Sequence, residues 1–129
     1  MFKIIGNNIY LSRGDTASPA IKIRSSDGEY YRLGGTDILV FTVKKNLSDT
    51  SPALVKNTPR EVPESVSSDT IYKYVFDISK NDTMSLDFGD YYYDVRLDYI
   101  DNSADPPIVK RCTIVEPSLF KIKEVVSDE

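Results

Sequence analysis

Hydrophobic and polar residues alternate with period two along much of this chain, most clearly from Tyr91 to Tyr99, Tyr-Tyr-Tyr-Asp-Val-Arg-Leu-Asp-Tyr. Successive side chains of an extended strand point to opposite faces. Tyr91, Tyr93, Val95, Leu97 and Tyr99 therefore share an apolar face, and Tyr92, Asp94, Arg96 and Asp98 a polar one. The same period predicts strands over 20–24, with Ile21 and Ile23 together, and over 38–45, with Leu39, Phe41 and Val43 inward and Thr42 and Lys44 outward. It predicts another over 71–78, with Tyr72, Tyr74, Phe76 and Ile78 on one face, and a short partner strand over 53–56. Residues 108–115 and 119–126 read as one strand interrupted at Glu116-Pro117-Ser118 by a bulge or kink on an edge, because proline cannot donate to a ladder.

Turn chemistry fills the gaps. Gly6-Asn7-Asn8 separates Phe2–Ile5 from Ile9–Ser12, as a small hairpin or as one edge strand bent at Gly6. Ser25-Ser26-Asp27-Gly28 predicts a hairpin turn into Tyr30–Leu33. Ser79, with Asp82 three residues on, predicts an N-capped single helical turn, after which Met84 and Leu86 would close over the core. Residues 57–70 hold two prolines and many small polar residues, which predicts a long irregular surface loop.

Asp87-Phe88-Gly89-Asp90-Tyr91 has the Asp-x-Gly-x-Tyr spacing of a tyrosine corner, where a buried tyrosine at the start of the penultimate strand returns its hydroxyl to nearby backbone. Asp87, Gly89 and Tyr91 would form that corner. Tyr93 would stand where disulfide-bonded relatives of the fold place their second cysteine. Eight or nine short strands, little helix and turns every 8–12 residues predict an all-β chain, an immunoglobulin-like antiparallel β-sandwich with one short helical turn. With 129 residues it is expected to be a single domain over 1–129.

Composition narrows the chemistry. There is no histidine and a single cysteine, Cys112, so histidine-dependent nucleophile systems, His/Cys zinc sites and an internal disulfide each lack a member. Cys112 is expected to be a small buried strand residue. The net charge of −4, without any basic run longer than a pair, argues against nucleic acid as a partner. Residues 1–60 carry nine Lys/Arg against five Asp/Glu, whereas 61–129 carry seven against fifteen. No apolar run approaches the roughly 20 residues of a membrane-spanning helix, and the N-terminal apolar patch is too short for a signal-peptide core.

Few constellations survive inspection. Asp94, Arg96 and Asp98 lie about 7 Å apart along one strand face and read first as a solvated charged stripe. Asp101-Asn102-Ser103-Ala104-Asp105 starts like a calcium-binding helix-loop-helix loop. Pro106 then occupies the glycine position and Cys112 the glutamate position. Asp82, Asp87, Asp90 and Asp101 read as turn residues before they read as calcium ligands. No metal or cofactor is expected. Tyr30, Tyr31 and Tyr92 would be the tyrosines outside the core, open to stacking on a sugar. Arg13-Gly14-Asp15 spells an integrin-recognised tripeptide but also what a turn before a strand requires.

The order of segments resembles a family of small structural proteins of phages and prophages of Gram-positive bacteria, encoded near tail and baseplate genes. The resemblance is carried by Arg13-Gly14-Asp15-Thr16, Asp27-Gly28 and 39–45, then by 76–83 running into 86–95, and by Pro117-Ser118-Leu119-Phe120-Lys121-Ile122. It departs at 57–70 and at Asp105-Pro106-Pro107. It implies a non-enzymatic, immunoglobulin-like virion component, present in several copies on tail, baseplate, neck or capsid, with other virion proteins as partners. Docking would use the terminal segments as strand edges, through Phe2, Ile4, Ile9, Tyr10, Phe120 and Ile122. A carbohydrate-binding module for host-surface glycan is the alternative expectation.

Overall fold

The computed structural model describes residues 3–5 (backbone only), 7–25, 27–103 and 105–124, and among them the chain is almost wholly β. In order come β1 (Lys3–Ile5), β2 (Asn8–Ser12), β3 (Ala20–Ile21), β4 (Ile23–Arg24), β5 (Tyr30–Tyr31), β6 (Ile38–Lys44) and β7 (Leu54–Lys56). They are followed by β8 (Arg60–Val66), β9 (Asp69–Val75), α1 (Lys80–Met84), β10 (Gly89–Asp101) and β11 (Ile108–Lys123). One sheet has the order β1-β2-β11-β10-β6-β7; a second has β3-β9-β8; β4 and β5 make a two-stranded ribbon. All pairings are antiparallel except β2 with β11, which run parallel with Ile9 opposite Phe120 and Leu11 opposite Ile122.

The two larger sheets enclose a single core. Leu39, Phe41 and Val43 of β6, Tyr91, Tyr93, Val95 and Leu97 of β10, and Phe120 and Ile122 of β11 are buried together with Ile9, Leu11, Ile23, Tyr74, Phe76 and Ile78. Phe41 sits at its centre with ring centroids 4.9 Å from Tyr93, 5.3 Å from Phe76 and 6.2 Å from Phe120. The inward faces expected for residues 38–45 and 91–97 are observed, and Tyr99 is half-buried. Strands β1 and β2 form a true antiparallel hairpin, with Ile4 opposite Ile9; Gly6 lies outside the described residues. The bulge expected near Pro117 is also present: β11 continues through it, but its register on β10 shifts between Tyr93 and Val95 and again between Val95 and Arg96.

Residues 57–70 correct the sequence reading. Arg60–Val66 is not an irregular loop but strand β8, paired with β9 from Arg60↔Val75 to Val66↔Asp69. Pro63 is tolerated because β8 is the outer strand of its sheet, where a missing N–H breaks no ladder. Polar contacts pin this hairpin to the rest. Tyr74 accepts the Leu33 N–H at 2.8 Å and donates to Glu61 at 2.9 Å, while Arg32 pairs with Glu61 and lies over the Tyr72 ring. The Arg32 and Tyr74 hydrogen bonds hold the Glu61 carboxyl below the usual range.

Helix α1 starts as expected. Ser79 accepts from the Asp82 N–H and Asp82 accepts from the Ser79 N–H, a reciprocal capping box. Leu86 closes over the core, but Met84 is exposed, contrary to expectation, because the single turn points it toward solvent beside the Arg13-Gly14 turn.

At the start of β10 the Asp87–Tyr91 segment closes on itself through a hydrogen bond. Tyr91 is buried and its hydroxyl donates to the Asp87 carbonyl at 3.0 Å. Gly89 holds φ at +131°, a region closed to residues with a side chain, so the chain can enter β10 only through glycine here. The Tyr91→Phe variant keeps the ring and removes one hydrogen bond, leaving a carbonyl without its donor. We expect about 1 kcal/mol of destabilisation in urea unfolding with unchanged secondary structure. Tyr93 is the second anchor of the same face: its hydroxyl donates to the Asn7 carbonyl and ties β10 to the β1–β2 turn.

Candidate interaction surface

Strands β10 and β11 are much longer than their neighbours, and the surplus forms an arm. β6 accompanies β10 only as far as Asp98, and β2 meets β11 only from Phe120 to Lys123. Among the described residues the side of β11 away from β10 therefore has no strand partner from Ile108 to Leu119, although the Leu119 N–H is taken by the Asn8 side chain. Every residue from Ile108 to Thr113 is exposed. Ile100, Ile108 and Val109 put apolar surface near the arm's end, Val109 with 74% of its area open. An open strand side with exposed aliphatic side chains is the geometry by which another chain adds a strand.

Ion pairs brace the arm from one strand to the other. Arg111 lies directly opposite Asp98 and bonds it at 2.9 Å, and Lys110 reaches Asp101 at 2.7 Å. Lys110 and the Ser103 hydrogen bonds push the Asp101 carboxyl far below its ordinary range. These pairs are exposed, so they set the register of the arm more than they stabilise it.

The residues expected to dock are mostly used inside the fold. Ile9, Phe120 and Ile122 are buried in the core, and the two terminal segments proposed as docking edges pair with each other. The parallel β2–β11 pairing is the physical reason: each segment satisfies the other's edge. Tyr10 is half-buried, Ile4 stands opposite Ile9 in the outermost strand, and Phe2 lies outside the described residues. Asp87, Gly89, Tyr91 and Tyr93 come together as the corner already described.

Cys112 reverses its expectation. It is exposed, on β11 opposite Leu97. It borders an open cleft of about 370 Å³ walled by Ile23, Tyr31, Leu97, Tyr99 and Ile114. Tyr31 donates to Asp37 at 2.5 Å, and that bond, aided by burial, pushes the phenol up to about 12.

The charged stripe divides. Asp98 is paired with Arg111, whereas Asp94 and Arg96 share a shallow depression of about 200 Å³ on the outer face with Thr42, Lys44, Leu47, Tyr92 and Pro117. Cross-strand pairing explains the grouping: Lys44 lies opposite Tyr92 and Thr42 opposite Asp94. Among the described residues neither Lys44 nor Arg96 makes an ion pair, and the Arg96 Nε is buried without a hydrogen-bond partner.

The other motifs are absorbed by structure. Arg13 donates twice to the Met84 carbonyl, at 3.0 and 3.2 Å, and lies over Phe88, so the Arg-Gly-Asp turn is fastened to α1. Tyr30 carries Arg24 over its ring at 4.3 Å, leaving that face closed to stacking. Asp82 is engaged by Lys56, and no three acidic or cysteine side chains converge as metal ligands among the described residues. Among the described residues no helix is long and apolar enough to cross a membrane.

No protein-family model matches the chain, and no curated protein or solved structure matches it.

Proposed function

We propose that this chain is a non-enzymatic, immunoglobulin-like docking module of a virion, present in several copies, that joins neighbouring subunits by strand addition on the β10–β11 arm. Support for the fold comes from topology. A strand near the N-terminus runs parallel to the last strand of the sheet β2-β11-β10-β6-β7, a second sheet β3-β9-β8 covers the core, and a tyrosine corner opens the penultimate strand. The virion assignment rests on the resemblance of the segments quoted above. The single observation that carries the docking mechanism is the open side of β11, exposed and apolar toward its tip. The glycan alternative loses support at Tyr30, which Arg24 covers, and at Tyr31, which is half-buried and bonded to Asp37, and keeps only the open ring of Tyr92.

Light scattering across a concentration range tests this reading. The wild-type chain is expected to form species heavier than its 14.6 kDa monomer. Changing Ile108 and Val109 together to Asp places charge on the proposed contact and should return it to monomer, with the unfolding midpoint nearly unchanged because both residues are exposed. A wild-type monomer at every concentration overturns self-assembly. An assembly indifferent to the double substitution moves the contact off the arm.

A further inference from the structure

We propose that the depression around Arg96 is a receptor for one carboxylate side chain, aspartate or glutamate, presented by a partner protein. It lies on the outer face of β6, β10 and β11, away from the arm's open side, and is built from residues held by sheet register. Arg96 and Asp94 come from β10, Lys44 and Thr42 from β6, Leu47 from the turn after β6, and Pro117 from the bulge of β11.

Three observations converge. The Arg96 Nε–H is buried with no acceptor. Enclosed by protein, it is out of a ligand's reach, and its lack of a partner means that no internal acceptor holds the guanidinium away from the depression. The two Nη groups, without hydrogen bonds among the described residues, form the planar fork that a ligand meets, and it matches the two oxygens of a carboxylate. Second, the depression holds two cations without ion-pair partners among the described residues, Lys44 and Arg96, against the single carboxylate of Asp94. The unbalanced positive charge complements an anion. Third, size decides between kinds of anion. About 200 Å³ falls below the roughly 300 Å³ at which pockets for whole small molecules begin, yet it admits one side chain. Leu47, Pro117 and the half-open Tyr92 ring would cover that side chain's methylene groups, and the Thr42 hydroxyl adds a donor beside the carboxylate.

Asp94 opposes this binding and makes it tunable. Its charge repels the incoming carboxylate, so removing it should tighten the site while removing Arg96 should empty it. A merely structural charge stripe predicts neither result.

The inference rests on reading the chain as a protein-docking module, and the experiment separates the two. The peptide Thr-Val-Glu-Val-Thr, immobilised through a flexible linker, is compared with Thr-Val-Gln-Val-Thr and with an immobilised glucuronate oligosaccharide. The full chain is passed over each, and retention is measured by interferometry at low and high salt. The glutamate peptide is expected to retain it at least about tenfold better than the glutamine peptide, with the difference shrinking at high salt. Arg96→Lys keeps the charge but loses the fork and should abolish the preference; Lys44→Gln should weaken it; Asp94→Asn should strengthen it several-fold. The Ile108 and Val109 double aspartate variant should bind as wild type, so a failure of the arm is distinguishable from a failure of this site. Equal retention of the two peptides, retention of neither, an unaffected Arg96→Lys chain, or stronger retention by the glucuronate surface would overturn the proposal. Lys44→Gln alters a strand-end surface side chain, which keeps the test decisive even if Arg96→Lys unfolds.

Discussion

Phe41→Ala is expected to destabilise the chain by about 3–5 kcal/mol, a large share of the roughly 5–15 kcal/mol available to a domain of this kind. The reason is position as much as size. Phe41 is fully buried in β6 and touches aromatic rings from three directions: Tyr93 of β10 stacked at an interplanar angle of 19°, Phe120 of β11 edge-on at 73°, and Phe76 from the segment that follows β9. Truncation loses the transfer energy of the ring and leaves a cavity that rigid sheet neighbours cannot close. Urea unfolding followed by circular dichroism gives the value. Val109→Ala on the arm is the control, expected within about 0.5 kcal/mol of wild type because Val109 is exposed. Similar losses at both positions would mean that the ring cluster is not the centre of the core.

Local pattern made the core legible; long-range pairing was not. Period-two alternation placed Leu39, Phe41, Val43, Tyr91, Tyr93, Val95 and Leu97 inward because a strand's faces follow from its sequence alone. The Asp-x-Gly-x-Tyr spacing located the corner because the hydrogen bond spans only four residues, from Tyr91 to Asp87. Which strand lies beside which depends on chain-distant partners, and there the reading failed. Ile9 and Phe120 each looked like part of a free edge, and only their mutual pairing buries them. Pro63 looked like a loop signal, although an outer strand accepts it. The arm was within reach of the sequence, since alternation continues to Tyr99 with Ile100 beyond it and Ile108-Val109 resumes after Pro106-Pro107. Nothing in that pattern says that β6 accompanies β10 only to Asp98, and so nothing says that the hairpin outruns its sheet. The unpaired Arg96 Nε was likewise invisible, because alternation says which face a side chain takes and not which acceptors reach it.

Thr83→Val is expected to cost roughly 2–4 kcal/mol although the two side chains have nearly the same shape. Thr83 is fully buried on the one-turn helix, and its hydroxyl joins that helix to a turn about seventy residues earlier. It accepts the Gly14 N–H at 3.0 Å and lies 2.9 Å from the Asp15 carbonyl and 3.1 Å from that of Lys80, so one proton and one lone pair serve backbone groups on both segments. Valine fills the space and makes neither bond. The Gly14 donor and a carbonyl are then left without partners, each at about 1–3 kcal/mol. Gly14 cannot turn away to find water, since its φ of +90° is fixed by the turn and the Met84 side chain stands beside it, where a Cβ would come within 3.1 Å of the sulfur. Thr83→Ser separates the causes: it retains the hydroxyl and loses one methyl, so about 1 kcal/mol is expected. Amide exchange at Gly14 should accelerate in the valine variant and stay slow in the serine variant. If valine proves no worse than serine, the hydroxyl does not hold the Arg13-Gly14-Asp15 turn, and its fastening rests on Arg13 and the Met84 carbonyl alone.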